Sequence, residues 1–78
     1  NAGSVNDEYF SSEKYIRLYN AIDSLNKKMK TTVVLFYFNE MSIKEIAKIT
    51  GSFEGTVKTR LFAARKRLKK YLETDMEA

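Results

Sequence analysis

The chain has no cysteine, no histidine, no proline and no tryptophan, and only three glycines. Without cysteine there is no disulfide framework and no thiolate metal site. Without histidine, the usual nitrogen metal ligand and the usual general base near neutral pH are both missing. There is no Gly-rich phosphate loop and no pairing of inward carboxylates, so an enzyme is the least favoured reading and no cofactor is expected. Proline and glycine are the residues that interrupt helices, and their scarcity favours a mostly helical chain. No apolar run approaches the length of a membrane span and no signal-peptide pattern is present, which makes a cytoplasmic protein the default expectation.

What remains is a short, basic sequence. Seventy-eight residues make one small domain, a size that buries only roughly 60% of its unfolded surface. The net charge is +4, and it is unevenly spread. Residues 1–26 carry −2, residues 27–50 carry +3, residues 51–72 carry +6 and residues 73–78 carry −3. Positive charge is therefore gathered near the end of the chain, as expected of a protein that binds a phosphate backbone. A basic face that only meets solvent is the bland alternative.

The stretch from Ser42 to Leu72 gives that charge a setting. Ser42-Ile43-Lys44-Glu45 has the spacing of a capping box, in which a hydroxyl and a carboxylate each satisfy an amide at a helix start. Ile43, Ile46, Ala47 and either Ile49 or Thr50 then fall on one side of a short helix. Gly51 is the residue type that ends helices, because it tolerates positive φ, and Ser52 is expected to cap the next one. Val57, Leu61, Ala64, Leu68 and Leu72 recur at helical spacing as one apolar stripe. The other faces carry Lys58, Arg60, Arg65, Lys66, Arg67, Lys69 and Lys70. A short helix, a glycine turn and a longer basic helix form a helix-turn-helix pattern.

Taken in order, Asn1-Ala2 reads as a cloning scar and 1–7 as a disordered start, so the chain reads as a domain cut from a longer protein. The domain itself is expected over 8–72. Tyr9 and Phe10 would pack just before a first helix over Glu13–Leu25, or belong to an earlier helical turn, and the stripe of that helix is Tyr15, Leu18, Tyr19, Ile22 and Leu25. Asn26 can cap a second helix from Lys27 to about Asn39. Its segment Thr31–Phe38 is β-branched and aromatic and would score as a strand alone. A lone strand would have no partner here, so a buried helix is expected, with Met29, Val33, Phe36, Tyr37 and Met41 as central core. Residues 73–78 read as a frayed acidic tail. The expected fold is all-α: a three- to four-helix bundle containing a helix-turn-helix with a long basic C-terminal recognition helix.

Leu25 to Leu72 resembles region 4 of bacterial sigma-70 family sigma factors, most of all those of the extracytoplasmic-function (ECF) group. The matching pieces are Leu25, Ser42-Ile43-Lys44-Glu45-Ile46-Ala47, Gly51, Gly55-Thr56-Val57-Lys58-Thr59-Arg60-Leu61 and Ala64-Arg65-Lys66-Arg67-Leu68. Four positions depart from the family's pattern. Asn26 replaces a proline, Glu40 stands where glycine is common, Phe53 sits where Ser or Thr often caps the recognition helix, and Ala63 occupies a position often held by a DNA-reading Arg. The resemblance implies recognition of the −35 promoter element, docking on the flap of the RNA polymerase β subunit and, commonly, capture by an anti-sigma protein. Region 2, which melts the −10 element in that family, has no counterpart among these residues.

A recognition helix offers its first turns to base edges and its flanks to phosphates. Lys58 is expected to donate to a guanine or a phosphate, Thr59 to make a hydroxyl or methyl contact, and Phe62 to touch a thymine methyl or a sugar. Arg60 and Arg65 would hold phosphates, with the amides from Glu54 to Thr56 as further donors. Lys66 and Lys44 would follow the flanking backbone. Two alternatives stay open on the residues alone. One is a free-standing helix-turn-helix regulator of the LuxR-like output type, which would dimerise. The other is a partner- or membrane-binding module using the basic helix. No dimer seam is visible, so a monomer is expected.

Overall fold

The structure, a computed structural model, describes residues 13–77, with side chains described through Glu73. The readings made for 1–7, Tyr9 and Phe10 lie outside the described residues. Among those residues all regular structure is helical. Helix α1 is Glu13–Asp23, and α2 is Lys27–Val33, continued without a break by a π-helical segment, Val34–Phe38. Helix α3 is Ile43–Thr50, and α4 is Glu54–Glu77. The long α4 packs against α1, α2 and α3. The all-α architecture is as the sequence implies.

Helix α1 ends at Asp23, and Ser24 and Leu25 form a turn whose amides bond back to Asn20, Ala21 and Ile22 carbonyls. Its buried edge is Ala21, Ile22 and Leu25. This corrects the expected stripe: Tyr19 is 64% exposed and Leu18 is also exposed, while Tyr15 is partly buried. The helix is turned about its axis toward Ala21, whose small side chain lets α1 approach the core closely.

Asn26 caps α2 as expected, its side chain accepting from the Met29 amide at 2.9 Å. The strand-like segment is helical because burial outweighs propensity. The helix penalty of a β-branched residue is only a fraction of a kcal/mol, below roughly 0.7 each. Val33 and Thr32 are both sealed in the interior. Thr32 brings a hydroxyl with it and satisfies it by donating to the Lys28 carbonyl at 2.8 Å. The expected central core needs one correction. Val33 is buried, and Met29, Phe36 and Met41 pack partly buried against it, but Tyr37 is exposed and Leu35 packs inward in its place. The π turn is the cause. The Asn39 amide bonds to the Val34 carbonyl five residues back, and the wider turn shifts the phase of every side chain beyond it.

The core closes on α4. Val57, Leu61 and Ala64 are buried, Leu68 packs beside them and Leu72 is half-buried. From α3 come Ile46 and Ala47. The choice left open there resolves to Thr50, which is half-buried and donates to the Ile46 carbonyl at 2.7 Å, while Ile49 faces outward at 66% exposure. The backbone of α4 is helical through Glu77, so the acidic residues 73–77 continue the last helix.

Candidate nucleic-acid interface

The geometry of the helix-turn-helix is set by short-range chemistry. The capping box forms in full: the Glu45 amide donates to Ser42 Oγ at 3.0 Å, and the Ser42 amide donates to Glu45 Oε1 at 2.8 Å. The backbone amide of Ser42 bonded to it, and then the Ser42 side chain, hold the Glu45 carboxyl below its ordinary pKa, against a small opposing effect of desolvation. At the other end Gly51 takes φ +67°, the left-handed conformation that reverses the chain. The Ser52 amide then bonds back to the Ala47 carbonyl at 2.9 Å, closing the turn.

Helix α4 leaves this turn without the cap expected for it. Its first residue is Glu54, so the residue in the capping position is Phe53, whose side chain has no acceptor. Ser52 lies one position too early. Its hydroxyl accepts from Arg60 Nη1 at 3.0 Å and sits 3.2 Å from the Thr50 hydroxyl.

Burying Val57, Leu61 and Ala64 decides what α4 presents outward. At 100° per residue, Thr59, Phe62 and Lys66 fall on the side opposite that stripe, with Lys58 at its edge. All four are exposed, Phe62 by 65%. Lys66 Nζ stands 5.9 Å from the centre of the Phe62 ring, so the one large apolar group on this face carries a cation beside it. Thr56 and Arg60, half-buried, form one flank. Arg65 lies on the other flank, next to the π-helical segment. There its Nε donates to the Tyr37 hydroxyl at 2.6 Å, and its guanidinium centre lies 5.7 Å from the Tyr37 ring and 6.0 Å from Phe36. Lys44 is exposed on α3, apart from this face.

The sequence-derived residues therefore divide into three groups. Lys58, Thr59, Phe62 and Lys66 come together on one exposed face. Arg60 and Arg65 are each already bonded within the domain by one of their five N–H groups. Thr56 joins Phe53, Gly55, Thr59 and Arg60 around a shallow depression at the start of the helix. Two features were missed. Phe53 is 85% exposed at the mouth of this depression, and its signal was present, since an aromatic residue held the place of a cap. The Tyr37–Arg65 bond had no signal, because it depends on the π turn. Among the described residues no cluster of His, Cys, Asp or Glu could hold a metal ion. No helix among them is long and apolar enough to cross a membrane.

Comparison with known proteins assigns this arrangement. The family model for sigma-70, region 4, matches residues 15–68. The match begins ten residues before Leu25, so α1 belongs to the family's domain as well. Over 49 residues the chain is 45% identical to RNA polymerase sigma factor SigV of Bacillus subtilis (strain 168), which covers 63% of this chain and 30% of that protein. It is 40% identical over 62 residues to RNA polymerase sigma-E factor of Streptomyces antibioticus, covering 78% and 34%. With the ECF RNA polymerase sigma factor SigW of Bacillus subtilis (strain 168), identity is 38% over 66 residues, covering 85% and 35%. The chain thus spans about a third of the length of these curated relatives. No solved structure matches it. A helix-turn-helix with an outward basic face, inside a region 4 match that covers most of the chain, places this protein in the sigma-70 family as a region 4 domain of the extracytoplasmic-function group.

Proposed function

We propose that this chain is the part of a sigma factor that reads the −35 promoter element, and that it works docked on the β-flap of RNA polymerase. The observation that carries the reading is the exposed row of Lys58, Thr59, Phe62 and Lys66 on the side of α4 turned away from the core. A row of this kind on a helix that fits the major groove supplies a charged donor, a hydroxyl with a methyl, and an apolar ring for base edges. Arg60 and Arg65 are held at the two flanks by Ser52 and Tyr37, with their other N–H groups free to meet phosphates on either side of the groove. Lys44 on α3 meets the backbone further out, and the Thr56 amide adds a donor at the start of α4. The domain acts as a monomer in the cytoplasm, performs no catalysis, and is a target for an anti-sigma protein.

Selection from a random duplex pool with the chain, run beside a binding assay against the isolated β-flap, tests this. The expected result is one enriched motif together with flap binding. Enrichment of paired half-sites without flap binding would instead mark a free-standing regulator.

A further inference from the structure

Phe53 is the most exposed large apolar side chain among the described residues, at 85%. Nothing among the described residues accounts for it. Phe53 is absent from the core and from the apolar side chains packed against it. It also leaves the start of α4 without a side-chain cap, where a hydroxyl or carboxamide would stabilise the helix. An aromatic residue that is fully wet and displaces a stabilising one needs a role outside the fold. Its surroundings indicate one. The ring borders a depression whose other walls are Gly55, Thr56, Thr59 and Arg60. Gly55 adds no bulk there: a Cβ at that position would meet nothing within 4 Å. Thr59 sits on the outward face of α4, and Arg60 brings positive charge. The depression is therefore open, shallow, flanked by a cation and walled on one side by an apolar ring.

We propose that Phe53 is a specificity-determining contact of the duplex, its ring covering the C5-methyl group of a thymine in the major groove, about two and a half helical turns toward the start of α4 from Phe62. This rests on the DNA-reading function proposed above. The ring and the methyl exclude water from each other, which favours thymine over cytosine at that position. The absent cap fits the same account, since Ser at position 53 would stabilise the free domain and remove the contact.

Stability and recognition should therefore move in opposite directions in Phe53→Ser. The test uses the 78-residue chain and the duplex it selects from a random pool, in which each thymine is replaced in turn by deoxyuridine, which lacks only the methyl. Phe53→Ser should melt at a higher temperature yet bind the duplex at least about fourfold more weakly, the equivalent of one buried methyl group. In the unsubstituted chain one deoxyuridine position beyond the Phe62 contact should cost about fourfold, and in Phe53→Ser that same position should cost nothing further. Unchanged affinity in Phe53→Ser overturns the proposal while leaving the DNA-reading function standing. A loss that no single deoxyuridine position shares overturns the thymine assignment. If the unsubstituted chain selects no duplex, the DNA-reading function and the Phe53 contact fall together.

Discussion

At the scale of single residues, two positions show local conformation and side-chain chemistry in tension. Glu40 follows the π segment with φ +54°, and it is the one non-glycine residue with positive φ among the described residues. The left-handed conformation brings an L-residue's Cβ against the neighbouring carbonyl, at roughly 1–2 kcal/mol. Among the described residues the exposed Glu40 side chain has no hydrogen bond or ion pair that offsets this. Glu40→Gly should accordingly raise stability by about 0.5–1 kcal/mol, after allowance for the greater freedom of glycine in the unfolded chain. Urea denaturation measures it, and a lower midpoint would show that Glu40 contributes something beyond its backbone. Arg65 is the second position. Its bond to Tyr37 joins the recognition helix to the segment that precedes α3, so the flank of α4 is oriented by a residue 28 positions earlier.

At the scale of elements, the ends of α3 matter most, because they fix the angle at which α4 leaves it. The capping box depends on an ionised Glu45. The depressed folded-state pKa of this group means that its contribution is fully present above the ordinary glutamate pKa and is lost as pH falls through the lower folded value. The melting temperature should therefore decline on acidification below the ordinary glutamate range, and Glu45→Gln should show less of that decline. Coincident pH profiles for the two proteins would exclude a contribution from the carboxylate.

These ends are also where the sequence was most legible. Ser42, Glu45 and Gly51 act through bonds spanning a few residues, so their spacing alone identifies them. The α4 stripe was legible for a similar reason, since Val57, Leu61 and Ala64 repeat a helical period over several turns. The rest turned on distant partners. Of the expected stripe Ile22 and Leu25 are buried, but Leu18 and Tyr19 at the same spacing are exposed and Ala21 is buried instead, a choice made only by packing against the other helices. The π turn at Val34–Phe38 exchanges Leu35 for Tyr37 in the core through a single extra residue per turn, which periodicity analysis does not register. Within the candidate interface, the exposure of Lys58, Thr59 and Phe62 followed from the stripe, because what lies away from a buried row is exposed, whereas Lys66, expected along the flanking backbone, shares their outward face. Ser52 did not. It was read as a cap from residue type, but the helix starts one residue later and its hydroxyl serves Arg60 instead.

At the scale of the whole molecule, the core and the reading face are two sides of one helix. Leu61, 2% exposed, lies between Val57 and Ala64 on the inner side. Leu61→Ala should cost roughly 2–5 kcal/mol, because the cavity would open where all the other helices meet α4. An unchanged melting temperature would contradict the core assignment. Basic residues are concentrated on the same helix, so duplex binding should weaken steeply with added salt as counterions are released.

The most direct test of the account separates the two sides of α4. Lys58 is exposed and lies outside the core, so Lys58→Ala should leave the fold intact. Binding of wild type and Lys58→Ala to the selected duplex should be measured together with helix content by circular dichroism. The account predicts a loss of about 1–3 kcal/mol in specific binding with helix content unchanged. Equal binding by the two proteins, or a loss of binding that tracks a loss of helix, would contradict the assignment of this face to DNA.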